Sequence, residues 1–173
     1  DVPALTADVT LGTTTLRADG GSGRPGDRIA IALASRRLEE LSPLLPGAPR
    51  PLAGAIDGRA TVATTDRGVS IALAAKGERL AVGADYAFAT LAVDGSAFVA
   101  APLMSPRLDA ISVDALDFAA TGARTPAGAV VSARGRLAGN AAAHTLSLDA
   151  TTEQGRVDGR LAGALAMVTG RFG

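Results

Sequence analysis

Apolar and polar residues alternate with a period of two through most of this chain, the pattern of a strand with one apolar and one polar face. Leu5, Ala7, Val9 and Leu11 alternate with Thr6, Asp8 and Thr10. Ile29, Ile31 and Leu33 alternate with Arg28, Ala30 and Ala32, and Val69, Ile71 and Leu73 with Ser70, Ala72 and Ala74. Leu146 and Leu148 alternate with Thr145, Ser147 and Asp149. Val157, Gly159, Leu161, Gly163 and Leu165 alternate with Asp158, Arg160 and Ala162. Turn-forming residues punctuate these runs at Asp19-Gly20-Gly21, Asp66-Arg67-Gly68, Lys76-Gly77, Gly139-Asn140 and Glu153-Gln154-Gly155. Strands that follow one another after about a dozen residues favour an antiparallel meander, because parallel strands need long crossovers.

Two segments break their own alternation. Tyr86 and Phe88 share one parity while Leu91 and Val93 take the other, and Ile111 and Val113 are offset in the same way from Leu116 and Phe118. One extra residue in mid-strand, a β-bulge, would restore a single apolar face and curve the sheet; a kink between two short strands is the other reading. One segment reads as a helix. Ser35 stands at its start as a cap, Leu38, Leu41 and Leu45 form one stripe with Arg36, Arg37, Glu39 and Glu40 outside it, and Pro43, Pro46-Gly47 and Pro49 end it. That stripe fits a helix closing the end of a sheet. Pro102 to Pro106 reads as a loop.

The chain also repeats itself. Gly135-Arg136-Leu137-Ala138-Gly139 returns letter for letter as Gly159-Arg160-Leu161-Ala162-Gly163, with a looser echo in Leu52-Ala53-Gly54 and Asp57-Gly58-Arg59-Ala60. The apolar rhythm of Tyr86, Phe88, Leu91 and Val93 recurs 25 residues later at Ile111, Val113, Leu116 and Phe118. A fixed period of this size is the mark of stacked supersecondary units, which grow in one dimension and present long continuous surfaces.

Composition sharpens this picture. Acidic and basic residues balance at 17 each among 173 residues, so no net field draws the chain to nucleic acid or anionic headgroups. There is no cysteine, hence no disulfide, thiolate nucleophile or Cys-based zinc site. Apolar residues make up 47%, yet aromatics only 3%, and there are 21 glycines. Many small apolar side chains and few large ones point to a lined or layered sheet and away from a thick globular core. No run approaches the roughly 18 to 20 apolar residues of a membrane helix, and there is no signal peptide. The chain starts without Met and ends just after a repeat, so it reads as a piece of a longer protein, with residues 1–173 forming one β-repeat segment.

Chemistry-bearing motifs are weak. Gly21-Ser22-Gly23-Arg24-Pro25-Gly26 satisfies the dinucleotide pattern, but Pro25 sits inside it and Asp27 to Ala34 read as a strand where a helix is needed, so a plain hairpin loop is expected. His144 is the only histidine and has no nucleophile elbow near it. Asp57, Asp66, Glu78, Asp85, Asp109, Asp114, Asp149 and Asp158 flank turns or take polar parity, as on a solvated face. The expectation is a protein that is not an enzyme and has no catalytic residue, cofactor or metal.

Three stretches, in order, resemble the TamB translocation and assembly module family of the AsmA-like bridge-forming proteins. They are the strand from Asp27 to Ala34 with the Leu-rich segment Arg37 to Leu44; Pro51-Leu52-Ala53-Gly54 through Gly58-Arg59-Ala60-Thr61; and Ala142 to Ala150 followed by Gly159 to Leu165. The resemblance implies a mainly β fold: an elongated, curved antiparallel β-repeat sheet forming a taco-like groove, with one short helix near 36–45. It also implies a periplasmic protein anchored in the inner membrane through a part outside this segment. Such proteins are linked to lipid transport between inner and outer membranes, and to outer-membrane protein assembly and secretion. The implied partners are phospholipid acyl chains and, through other regions of the parent protein, a TamA-like outer-membrane barrel.

The residues expected to line the concave apolar face are Val69, Ile71, Leu73, Tyr86, Phe88, Ile111, Val113, Leu146, Leu148 and Leu161, with Ala7, Ala60 and Ala133 leaving room for a guest. Two other architectures fit the same pattern: a β-solenoid or adhesin passenger whose apolar face closes on itself, and a β-sandwich binding module with a dry core.

Overall fold

The computed structural model describes residues 2–44, 52–100, 110–125, 128–140, 142–153 and 155–163. Its strands are β1 (Val2–Leu11), β2 (Thr14–Ser22), β3 (Arg28–Ser35), β4 (Leu52–Thr65), β5 (Gly68–Val82), β6 (Tyr86–Ala100), β7 (Ile111–Thr125), β8 (Gly128–Asn140), β9 (His144–Thr152) and β10 (Gly155–Gly163). They pair in chain order, each antiparallel to the next, in one open, curved sheet. The meander expected from short spacing is therefore the fold. The Gly23 to Gly26 segment is a plain hairpin loop between β2 and β3, tied to β4 by Gly26 N donating to Thr64 O and Thr64 N donating to Asp27 O, each at 2.9 Å.

Hairpin chemistry sets the register. Gly12-Thr13 joins β1 to β2 in a two-residue loop, with Gly12 at φ 57 as the first central residue of a primed turn requires. Three further hairpins close on the same pair: Thr65 faces Gly68, Thr125 faces Gly128, and Thr152 faces Gly155. Thr65 Oγ1 donates to Gly68 O at 3.0 Å, and Thr152 Oγ1 donates to Gly155 O at the same distance. Two expected turns are not turns. Asp19-Gly20-Gly21 lies inside β2 and Lys76-Gly77 inside β5. A Cβ on Gly20 would overlap the carbonyl oxygen of Arg28, and one on Gly77 would overlap the side chain of Leu80. These glycines allow close approach within the sheet, not a change of direction.

The parity breaks are bulges in continuous strands. In β7 the register slips against both neighbours at Asp114-Ala115, which returns Leu116 and Phe118 to the face of Ile111 and Val113. A second line of irregularity crosses β4 to β8 through Gly54 (φ 111), Arg79 (φ 49), Ala89, Gly122 (φ 54) and Val131. It brings Leu80, Phe88 and Ala123 back to the face of Gly77, Leu91 and Ala120. Extra residues of this kind bend and twist a sheet.

The expected helix is a 3₁₀ helix, Leu38–Leu44. Pro43 lacks an N–H and disfavours continuation as an α-helix. Ser35 does not cap it: it ends β3, is buried, and its Oγ lies 2.7 Å from Thr14 Oγ1. The helix is held instead by Glu40, which accepts from Thr13 N at 2.7 Å and Thr13 Oγ1 at 3.1 Å, and by buried Leu38. Leu45, Pro46-Gly47 and Pro49 lie outside the described residues, as do Pro102 to Pro106 and Leu165.

The repeated phrase has a structural meaning. Gly135 and Gly159 both face Leu148, Leu137 and Leu161 both face Leu146, and Gly139 and Gly163 both face His144, so the two copies flank β9 in one register. The 24-residue spacing is one hairpin pair. The 25-residue echo is different. Its members lie on neighbouring antiparallel strands β6 and β7, so it is not a translation of one stacked unit. Although the two phrases are identical, a Cβ on Gly135 would overlap the ring of Phe118 and lie 2.7 Å from Ser147 O, while one on Gly159 would meet nothing within 4 Å. Gly135→Ala is expected to destabilise by about 1–3 kcal/mol through overpacking, and Gly159→Ala to change stability by less than about 0.5 kcal/mol. Urea unfolding midpoints of the two variants check this.

Candidate functional site

Cross-strand partners share a face, so the register shows which side chains gather together. Val69, Ile71 and Leu73 stand opposite Thr64, Val62 and Ala60 on β4, and opposite Val99, Ala97 and Gly95 on β6. Tyr86 and Phe88 face Val82 and Leu80, and Ile111 and Val113 face Val99 and Ala97. Leu146 and Leu148 face Leu137 and Gly135. Leu161 stands opposite Leu146 by register, its side chain lying outside the described ones. The ten residues expected to line the apolar face therefore fall on one face of the sheet, as do Ala7, Ala60 and Ala133. Eight of them are half-buried, and Tyr86, at the end of its strand, is exposed.

No second layer of described residues packs on that face. The buried apolar residues are Leu38, Leu80, Ala120, Ala123 and Ala150, and no described side chain is fully buried. Burial comes instead from lateral packing, as where the Phe118 ring covers Gly135 and Leu80 covers Gly77. The described strands thus form neither a two-sheet sandwich nor a closed solenoid.

The opposite face carries the charged residues, interspersed with alanines and with Phe98, which stands opposite Ser70 and Ser112. Arg17 pairs with Asp8 at 3.0 Å, Arg136 with Asp117 at 3.6 Å, and Arg156 with Asp149. These exposed pairs contribute at most about 1 kcal/mol each. Thr90 and Thr121 bring their hydroxyl oxygens to 2.6 Å, and Ser96 Oγ donates to Asp114 at 3.2 Å. A shallow hollow of about 590 Å³ lies on this polar side, over Ala74, Ala92 and Ala119, ringed by Asp57, Arg59, Lys76, Asp94, Asp117 and Arg134. The signal for it was alanine at polar-parity positions, which leaves charged neighbours standing around a low floor. Sequence reasoning did not single it out. Leu5, Val9 and Leu11, read from the sequence as the apolar side of a strand, and Leu16 belong to the apolar face too and are exposed, though none was among the ten residues expected to line it.

The arrangement offers little reactive chemistry. Among the described residues no group of three His, Asp or Glu side chains is placed to hold a metal. His144 sits between Gly139 and Gly163 on the apolar face, and its Nδ1 is buried with no hydrogen-bond partner among the described residues. Asn140 accepts from Ala142 N at 2.9 Å and Ala143 N at 2.8 Å, which shapes the turn before it. No helix among the described residues is long and apolar enough to cross a membrane. Comparison with protein-family models, curated proteins and solved structures finds no match to this chain.

One local conflict is testable. Asp94 stands directly opposite Asp117 across β6 and β7, and like charges so placed repel. Asp94→Arg is expected to stabilise the sheet by about 0.5–1 kcal/mol at low ionic strength. The gain should shrink in molar salt, where the screening length falls to about 3 Å. Thermal unfolding at two salt concentrations measures both effects.

Proposed function

We propose that this chain is a non-enzymatic β segment of a periplasm-spanning protein, and that its apolar face carries phospholipid acyl chains. In this reading it serves lipid transport between inner and outer membranes, outer-membrane protein assembly and secretion, or both. A TamB-like parent would be anchored in the inner membrane and would meet a TamA-like barrel through regions outside this chain. The observation that carries the reading is an apolar face that runs from strand to strand along the sheet, with no covering layer among the described residues. The resemblance of Asp27 to Leu44, Pro51 to Thr61 and Ala142 to Leu165 to that family adds support.

Magnitudes favour holding over trapping. Full transfer from water gains about 0.8 kcal/mol per CH₂, and a chain lying on one open face is shielded on roughly half its circumference. A dozen methylenes then gain about 5 kcal/mol, which corresponds to affinity between millimolar and micromolar. Such a surface can accept an acyl chain and release it again, as a conduit must. It needs no catalytic group.

Photocrosslinking tests the reading. A photoreactive residue at Ile71 or Phe88, in the parent protein in its native membrane background, is expected to yield lipid adducts, while the polar-face control Ser70 yields few. Equal yields at Ile71 and Ser70, or no adducts at either apolar position, would overturn it.

A further inference from the structure

The shallow hollow on the charged face is built by the inner strands β4 to β8, and its charges are ordered in rows. In one row Lys76, Ala92, Ala119 and Arg134 stand side by side on β5 to β8, so two cations flank two alanines. Two residues further along the strands, about 7 Å away, Asp94 stands opposite Asp117. Asp57, opposite Lys76, and Arg59 close the β4 end. The charges over the alanine floor are not neutralised within the sheet. Lys76, Arg134 and Asp94 make no hydrogen bond or ion pair among the described residues, and Asp117 meets only Arg136, at 3.6 Å. Asp149, which stands opposite Arg134, is paired with Arg156 instead. Opposed like charges cost stability, and a cost of that kind is expected where it serves a site.

We propose that this hollow binds a small zwitterion with the span of an extended dipeptide, its ammonium on Asp94 and Asp117 and its carboxylate between Lys76 and Arg134. An ammonium has three N–H donors and serves both aspartates at once, and a carboxylate offers one oxygen to each cation. A simple anion would meet the two aspartates, and a simple cation would meet Lys76 and Arg134. Only a ligand carrying both charges relieves both rows. Its length follows from the sheet. The rows lie two residues apart along the strands, and a dipeptide laid parallel to them is two residues long, roughly 7 Å. A free α-amino acid carries both charges on one carbon and cannot reach both rows. Ala92 and Ala119 leave the space between the cations open, which suits a peptide backbone with methyl-sized side chains. The site lies on the face opposite the apolar one, so it stands apart from the acyl-chain reading.

Titration calorimetry with alanyl-alanine at low ionic strength tests this. The dipeptide is expected to bind at a single site. N-acetyl-alanyl-alanine lacks the ammonium, alanyl-alanine amide lacks the carboxylate, and alanine lacks the length, so each should bind about tenfold more weakly or worse. Asp94→Asn is expected to weaken dipeptide binding by about tenfold or more while raising the unfolding midpoint, because it removes the opposed charges. A merely structural aspartate would not separate these two readouts. Lys76→Gln should weaken the dipeptide but leave the amide unchanged, and Asp8→Asn, outside the hollow, should change neither. No binding of the dipeptide at millimolar concentration to folded protein would overturn the proposal. So would equal affinity for the acetylated peptide, or wild-type affinity in Asp94→Asn.

Discussion

A side chain on a single-layer sheet is shielded from water only by its neighbours on the same face, because nothing packs above it. Every other feature of this molecule follows from that limit. Large residues must cover small ones sideways, as Phe118 covers Gly135 and Leu80 covers Gly77. The few buried apolar residues are mostly alanines sunk between larger neighbours, namely Ala120, Ala123 and Ala150. A fully buried large side chain, the anchor of an ordinary globular core, does not occur among the described residues.

Such a sheet holds its shape through register. The Thr–Gly hairpins and the Gly12 turn fix which residues face each other, and a slip of one residue would mix the two faces. The bulges serve the same end. Without the extra residue at Asp114-Ala115, half of β7 would turn Leu116 and Phe118 to the charged side. The line from Arg79 through Ala89 and Gly122 to Val131 does this for β5 to β8, with Gly54 of β4 facing its first member, and bends the sheet as it does so. Curvature and a one-sided apolar surface thus have a common cause.

Much of this was legible in the chain. Strict alternation over Leu5–Leu11, Ile29–Leu33, Val69–Leu73 and Leu146–Leu148 identified strands and their apolar faces, because period two has only one backbone solution. The broken parity at Phe88/Leu91 and Val113/Leu116 marked where the alternation is interrupted, and the register decides for bulges over a kink between two short strands. Glycine was less legible. Gly20 and Gly77 serve close approach inside strands, Gly68 and Gly155 serve turns, and the letter alone does not separate these uses. The 25-residue echo misled because antiparallel neighbours of similar length produce the same rhythm as stacked units. The polar hollow was hidden because it depends on alanines from three strands meeting in register, which no local pattern records.

The proposed role of this sheet turns on whether its apolar face takes hydrocarbon. The chain has no tryptophan, so single reporters can be placed on either side of one strand: Ile71→Trp on the apolar face and Ser70→Trp on the polar face. Each is mixed with phospholipid brominated along its acyl chains, and the indole fluorescence is read. Strong quenching at position 71 with little at position 70 is the predicted result. Equal quenching at both positions, or none at position 71 while the protein remains folded, would contradict it.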